Sequence, residues 1–320
     1  MALEVLIDNR DGVIWEVPLS SLTWKTVKTG GAGVLDCTLI NLDPLKDKVV
    51  SGAVVRATYG EQKIFYGYSK KRAFSMSEEF KITAYDQLKY LKYSDTFVLS
   101  SMTASAAFQK ICSDFGVTIG IVDDTKYKLP AMVEEDKEAL DVLAKCLDST
   151  LVATNNNFVM YDDFGKATLR NISSLVIDPT EFYIGEESLL YDFDYEASIE
   201  DSYNRIKLVI DDKEASKRKV FIAQDSANIA KWGRMQYYEK VDENMTAAQV
   251  EGLLDALLTT HNKEKETLTL KCLGDWRVRA GRMVFVYLEK LNLKKLFLVD
   301  ECTHDWKSGV HTMSLKVKVV

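Results

Sequence analysis

From Leu22 to Leu42 apolar and polar residues alternate in two runs, LTWKTV and GVLDCTLINL, on either side of the glycine-rich TGGAG. Period two sends successive side chains to opposite faces of a strand, and glycines between two such runs supply a turn, so the stretch predicts a β-hairpin. GAVVRATYG and KIFYGYSKKRAF continue the pattern. EFKITAYDQLKYLKYSD carries it to Ala84, after which Tyr85, Leu88 and Leu91 adopt helical spacing. Residues 1–97 therefore read as a compact antiparallel barrel or sandwich.

Residues 98–185 change period. MTASAAFQKICSDFG places Ala104, Ala107, Phe108, Ile111 and Phe115 on one helical face, with Thr103 as N-cap and Gly116 at the end. KEALDVLAKCLDS predicts a second helix through Ala139, Leu140, Leu143 and Leu147, with Glu134, Glu135 and Asp136 favouring its first turn. Strands joined at Asn155–Asn157 and Asp162–Lys166 follow, which makes this a small α+β domain.

Residues 186–320 return to strands. NRIKLVIDDKEASKRKVFIAQ predicts a hairpin with Ile206, Leu208 and Ile210 facing Val220 and Ile222. One long amphipathic helix, 246–261, opens with Thr246 and Gln249 at capping-box spacing and carries Val250, Leu253, Leu254, Leu257, Leu258 and His261 on one stripe. ETLTLKCLGDWRVRAGRMVFVYL resumes the strands. SGAVVRATY (51–59) has an echo in AGRMVFVYL (280–288), FYGYSKKRAF in FLVDECTHDW, and FKITAYD in MSLKVKV. The fold class expected is mainly β with an α+β insertion: two related antiparallel β-barrel modules flanking a small α+β domain.

Composition narrows the classes. A chain of 320 residues, 47% hydrophobic and 28% charged with four prolines, is folded and too long for one small core. A net charge of −7 argues against a phosphate-binding surface over much of the molecule. The amino terminus lacks the basic region of a secretion signal, and no apolar run approaches the roughly 20 residues of a spanning helix, so no membrane insertion is expected. Five dispersed cysteines without CxxC spacing fit reduced thiols.

Candidate chemistry is sparse. In GDWRVRAGRMVFV, inward Trp276, Val278 and Ala280 would set Asp275, Arg277 and Arg279 on the other face of a strand. In YDFDYEA, Asp192, Asp194 and Glu196 alternate with Tyr191, Phe193 and Tyr195, inside a stretch, 181–203, holding eight acids and no base. Three carboxylates on a strand lack the glycine turn of a calcium loop, so a solvated face, or one pairing with a neighbour's arginines, is the better account. TGGAGV lacks the lysine of a phosphate loop. Cys302, His304 and His311 are short of a fourth zinc ligand. His261 closes a helix stripe, and no nucleophile has an evident partner base. No cofactor, metal, catalytic residue or sequence-specific nucleic-acid binding is expected.

The succession LTWKTV…GVLDCTLINLDP, FYGYSKKRAF…FKITAYDQLKYLKYSD, KEALDVLAKCLDSTLVATNNNFVMYDD, SYNRIKLVI, GRMQYYEKVDEN and LGDWRVRAGRMVFV resembles the baseplate or tail hub proteins of contractile-tailed bacteriophages, prophages and phage-tail-like bacteriocins. The resemblance implies tail-tube-like modules, a homotrimer with pseudo-six-fold symmetry, and a place in the virion tail baseplate assembled in the bacterial cytoplasm. It implies a hexameric tail tube, a trimeric spike, baseplate wedge and tape-measure proteins as partners, and no catalytic residues. On that reading the Arg277/Arg279 face and the Asp192/Asp194/Glu196 face are expected as ring-closing partners. Two other readings are a carbohydrate-binding module using Trp232, Tyr237 and Tyr238, and a cell-wall hydrolase with an unrecognised carboxylate pair.

Overall fold

The structure, a computed structural model, describes residues 2–40, 49–74, 79–212, 217–243 and 245–319. The turn of the expected 204–224 hairpin lies outside the described residues, as do parts of the resembling segments at 41–44 and Asn244. Strands β1 (Leu3–Asp8), β2 (Ile14–Glu16), β3 (Leu19–Val27), β4 (Val34–Leu39), β5 (Val54–Tyr59), β6 (Gln62–Phe74) and β7 (Phe80–Tyr85) build the first module. Its alternation sorts the side chains: Leu22, Trp24 and Thr26 of β3 and Leu35, Cys37 and Leu39 of β4 are buried, and the residues between them are not. After β7, Asp86 accepts the Leu88 N–H at 3.0 Å and starts a 3-10 turn over Gln87–Lys92. Leu88 and Leu91 of that turn pack into the core of the next unit.

That unit comprises β8 (Ser94–Leu99), α1 (Ala104–Asp114), β9 (Ile119–Val122), β10 (Met132–Glu138), α2 (Ala139–Thr154), β11 (Phe158–Asp162) and β12 (Ala167–Asn171). The sequence boundary at 97 falls inside β8, which pairs with β10. Thr103 caps α1 as expected, its hydroxyl accepting the Ala106 N–H at 3.2 Å. Glu134, Glu135 and Asp136 lie in β10 instead of the first turn of α2, which begins at Ala139. The apolar stripe sets a helix only from where it starts; of the acids before it Glu134 pairs with Phe97 of β8, and Glu135 and Asp136 lie in the bulge that follows.

The rest of the chain holds β13 (Ile184–Gly185) and β14 (Leu190–Ser198), then β15 (Arg205–Asp212), β16 (Lys217–Gln224), α3 (Ser226–Trp232), β17 (Gln236–Lys240) and α4 (Ala247–His261). It ends with β18 (Lys265–Leu273), β19 (Met283–Leu288), β20 (Leu293–Lys307) and β21 (Val310–Lys318). Residues 199–264 form a layer of their own, a three-stranded sheet β16-β15-β17 with a core of Ile206, Leu208, Ile210, Val250, Leu254 and Leu257. The seven residues of helix α3 are too few to show a period in the sequence. The buried Ile206 and Leu208 pair with Ala223 and Phe221, whereas Val220 and Ile222 face solvent, so the expected hairpin facing is shifted by one residue. The stretch 274–282 is two successive turns, not a strand, although Val278 and Ala280 are buried as their phase suggested.

The two β modules share strand order. In the first, β3-β4-β7-β6-β5 are neighbours in sequence of pairing; in the second, β14-β18-β21-β20-β19. They also share irregularities. β3 slips against β4 between Leu19 and Ser21, and β14 slips against β18 between Leu190 and Asp192. β6 slips against β7 between Ser69 and Lys71, and β20 slips against β21 between Val299 and Glu301. Bulges are specific, position-bound features of a fold, so two at matching places argue for duplication far more strongly than short β patterns in sequence. The layer 199–264 occupies the tip of the β14–β18 hairpin, where the first module has only the turn at 28–33. One difference stands out: β1 runs antiparallel to β5, and β13 parallel to β19.

Candidate functional site

The modules are welded into one thirteen-stranded sheet through β3 and β20. β20 is long enough to serve three neighbours: β21 on one edge, and on the other β19 along its first half and β3 along its second. The β3–β20 register sets Trp24 opposite His304, and the two rings stack at 5.2 Å. Trp306 stacks on His311 at 4.0 Å in the same cluster. Thr23 donates to the Asp305 carboxylate at 2.6 Å across the seam. Gly274 is required here, because a Cβ at that position would come within 2.1 Å of the His311 ring.

Burial holds both histidines neutral: His304 falls to about 4, and His311, also repelled by His304, to about 4. Nε2 of His304 lies 2.7 Å from the Val278 carbonyl, which requires a proton on that nitrogen, so Nδ1 accepts from His311 Nε2 at 3.0 Å. Cys302 Sγ is 3.2 Å from the same Nε2. The expected Cys302–His304–His311 trio is thus assembled, but its nitrogens are spent on one another and on backbone. Among the described residues no group of three or more His, Cys, Asp or Glu side chains is arranged to hold a metal ion.

Arg279 ties three units together. Its guanidinium lies 4.4 Å from the Tyr161 ring of the middle unit and 5.8 Å from Trp24 of β3, and Nη1 donates to the Asp162 carbonyl at 3.0 Å. The next residue, Ala280, donates its N–H to Thr26 Oγ1 at 3.0 Å. Asp86 stands beside this node and accepts the Gly33 N–H at 2.7 Å. Gly33 has no side chain because a Cβ would lie 2.5 Å from that same carboxylate. Burial, and then Asp162 nearby, push Asp86 well above the usual carboxylate range; burial pushes Asp162 up to about 6. Arg279 Nε and Asp162 Oδ2 are buried without a hydrogen-bond partner. Such half-satisfied groups depend on each other's charge.

Arg277 is committed elsewhere. It forms a 2.8 Å ion pair with Asp275 and lies over the Phe182 ring at 5.0 Å. Burial alone would raise Asp275, but the Arg277 hydrogen bonds outweigh it and hold the carboxyl below its usual range. The structure therefore does not present Arg277 and Arg279 together as one open face. Asp192, Asp194 and Glu196 do share an exposed strand, β14, of which Leu190 and Phe193 pack toward the second core. Asp192 is bound to Lys271 at 2.7 Å and lowered by that hydrogen bond. Trp232, Tyr237 and Tyr238 do not form one platform: Tyr237 stacks on His261 inside the 199–264 layer, and Tyr238 points to the opposite side of β17. No described helix is long and apolar enough to cross a membrane.

Comparison with known proteins gives this geometry its context. The YQBQ-like family matches residues 22–318. Phage-like element PBSX protein XkdQ of Bacillus subtilis (strain 168) is 28% identical over 239 residues, 73% of this chain and 72% of that protein. The 43 kDa tail protein of prophage MuSo2 from Shewanella oneidensis superposes with a TM-score of 0.72 at 13% identity, covering 98% of both chains. The E. coli c3393 protein, described as a type VI secretion component structurally similar to the T4 bacteriophage tail proteins gp27 and gp5, gives 0.59 at 9% identity over 99% of this chain and 76% of that one. With its mainly β fold and a match over residues 22–318, the chain belongs to the YQBQ-like family.

Proposed function

We propose that the protein is the baseplate hub of a contractile injection machine. Three chains form a ring with six β modules around a central channel, pseudo-six-fold where it meets the hexameric tail tube and three-fold where it meets the trimeric spike. Baseplate wedge and tape-measure proteins are its further neighbours in the virion tail. The observation that carries this reading is the duplication: two modules with the same strand order and the same two bulges in one chain. A six-fold ring cannot dock on a three-fold spike without an adapter that offers both symmetries, and a trimer of a duplicated chain is such an adapter. The net charge of −7 supports a channel wall that repels phosphate and lets a genome pass.

Mass in solution tests it. The reading expects three times 36.2 kDa, about 109 kDa, for the chain alone or after mixing with the spike protein. A chain that stays at 36.2 kDa in both conditions overturns it.

A further inference from the structure

One module–module junction is made within the chain, and the two halves of a second stand open. β6, the counterpart of β20, is bordered by β7 and, along its first half, by β5; among the described residues no strand pairs with the other edge of its Lys71–Phe74 segment. β14, the counterpart of β3, pairs among the described residues only with β18, which leaves its outer edge open there. Open edge strands are templates for another chain's backbone.

We infer that β14 of one copy pairs antiparallel with the Lys71–Phe74 end of β6 in a second copy of this chain, repeating between chains the junction that β3 and β20 make within one. The matching bulges fix the correspondence residue by residue. Leu19 of β3 answers to Leu190 of β14, and Ser69 of β6 to Val299 of β20. By the same correspondence Trp24 answers to Tyr195, and His304 to Phe74. Carried over from β3–β20, the register therefore sets Phe74 opposite Tyr195 of the neighbouring copy, where Trp24 and His304 stack at 5.2 Å inside the chain. Phe74 and Tyr195 are 68% and 41% exposed, large surfaces for aromatic side chains to leave in water.

The same register sets Lys71 opposite Ser198 and Ala73 opposite Glu196, so that Lys71 and Glu196 are diagonal neighbours on one face. Lys70, Lys71 and Arg72 are all exposed on the β6 side, and Asp192, Asp194 and Glu196 on the β14 side. Basic edge meets acidic edge. Lys71 thus takes the place of Arg277 and Arg279 as the partner of the acidic strand, while Arg72 falls opposite Ala197 on the Phe74 face. A head-to-tail contact of this kind closes a ring when the rotation it repeats divides the circle. The number of chains in the ring rests on the hub reading; the choice of edges does not.

Disulfide trapping in the assembled oligomer tests the edges. Directly opposed strand residues lie about 4.5–5.5 Å apart at Cα, within disulfide reach, and the five native cysteines are all buried. Phe74→Cys with Tyr195→Cys is expected to yield covalent dimers and trimers on mild oxidation, whereas Ala73→Cys with Tyr195→Cys, on opposite faces, yields none. Lys71→Glu, which sets a carboxylate beside Glu196, is expected to weaken assembly severalfold at low salt, with less effect at high salt. A trimer by mass that shows no Phe74–Tyr195 link overturns the edge pairing and leaves the hub reading intact. A wild-type chain that remains a monomer with and without the spike protein overturns both.

Discussion

Replacing Arg279 with methionine keeps most of the side-chain length and removes the charge. The guanidinium faces two aromatic rings, at 4.4 and 5.8 Å, and one carbonyl at 3.0 Å, and it stands beside two buried carboxylates, Asp86 and Asp162. Removing one partner of a buried charge cluster costs about 3–5 kcal/mol, because the remaining charge is left uncompensated. Arginine's own desolvation cost is relieved in the variant, so we expect Arg279→Met to lose about 3 kcal/mol at pH 7.5. Both carboxylates sit above their usual range, Asp162 at about 6, so as pH falls they take up protons earlier than ordinary carboxylates and the uncompensated charge disappears. The loss should therefore shrink toward pH 5. Urea unfolding followed by tryptophan fluorescence reads the node directly, since Trp24 lies against Arg279. Adding Asp86→Asn to Arg279→Met should recover part of the loss. A variant within about 0.5 kcal/mol of wild type at pH 7.5, as for an ordinary surface substitution, would refute the reasoning.

Other perturbations follow the same physics. His304, held near 4 against an ordinary 6.5, binds its proton only when unfolded between those values, so it makes stability fall as pH drops from 6.5 to 4. Asp162, held near 6 against 3.8, binds its proton more readily when folded and makes stability fall as pH rises through that interval. The two slopes oppose each other, so Asp162→Asn, which removes one slope of up to about 1.4 kcal/mol per pH unit, should make the protein more acid-labile than wild type between pH 6 and 4; urea midpoints that fall no faster than those of wild type would contradict this. Gly274→Ala must push the His311 ring aside and should lower stability by about 1–3 kcal/mol, read from thermal melts. Thr246→Ala removes a complete capping box and should cost about 1 kcal/mol in the 199–264 layer, seen as faster amide exchange in α4 with β3 and β20 unaffected. Chelation should leave the melting temperature unchanged, because the His304 nitrogens are already hydrogen-bonded to protein.

Local signals in the sequence were read well where the period was long and clean. The β3–β4 hairpin, the Thr103 and Thr246 caps and the meander repeat all follow from spacing within a few residues. What escaped was non-local. Nothing in the alternation of β20 says that its outer edge will take β19 on one half and β3 on the other. The inward phase of Val278 and Ala280 predicts a strand carrying Arg277 and Arg279, yet paired turns bury the same two residues. The acidic character of β14 was legible, and so was SKKRAF on β6, but a period-two pattern does not distinguish an edge from a centre strand. The signal that could have done so is the weakness of β14's inward face, where Leu190 and Phe193 pack but Tyr195, in line with them, stays exposed.

The central claim is that one duplicated chain lets three copies imitate six. End-on electron-microscope averages of the oligomer test it most directly. At low resolution they should show six equivalent lobes around a channel, resolving at higher resolution into three pairs, with one 36.2 kDa chain per pair. Six lobes each holding a whole chain, or three lobes with the second module turned away from the channel, would contradict it.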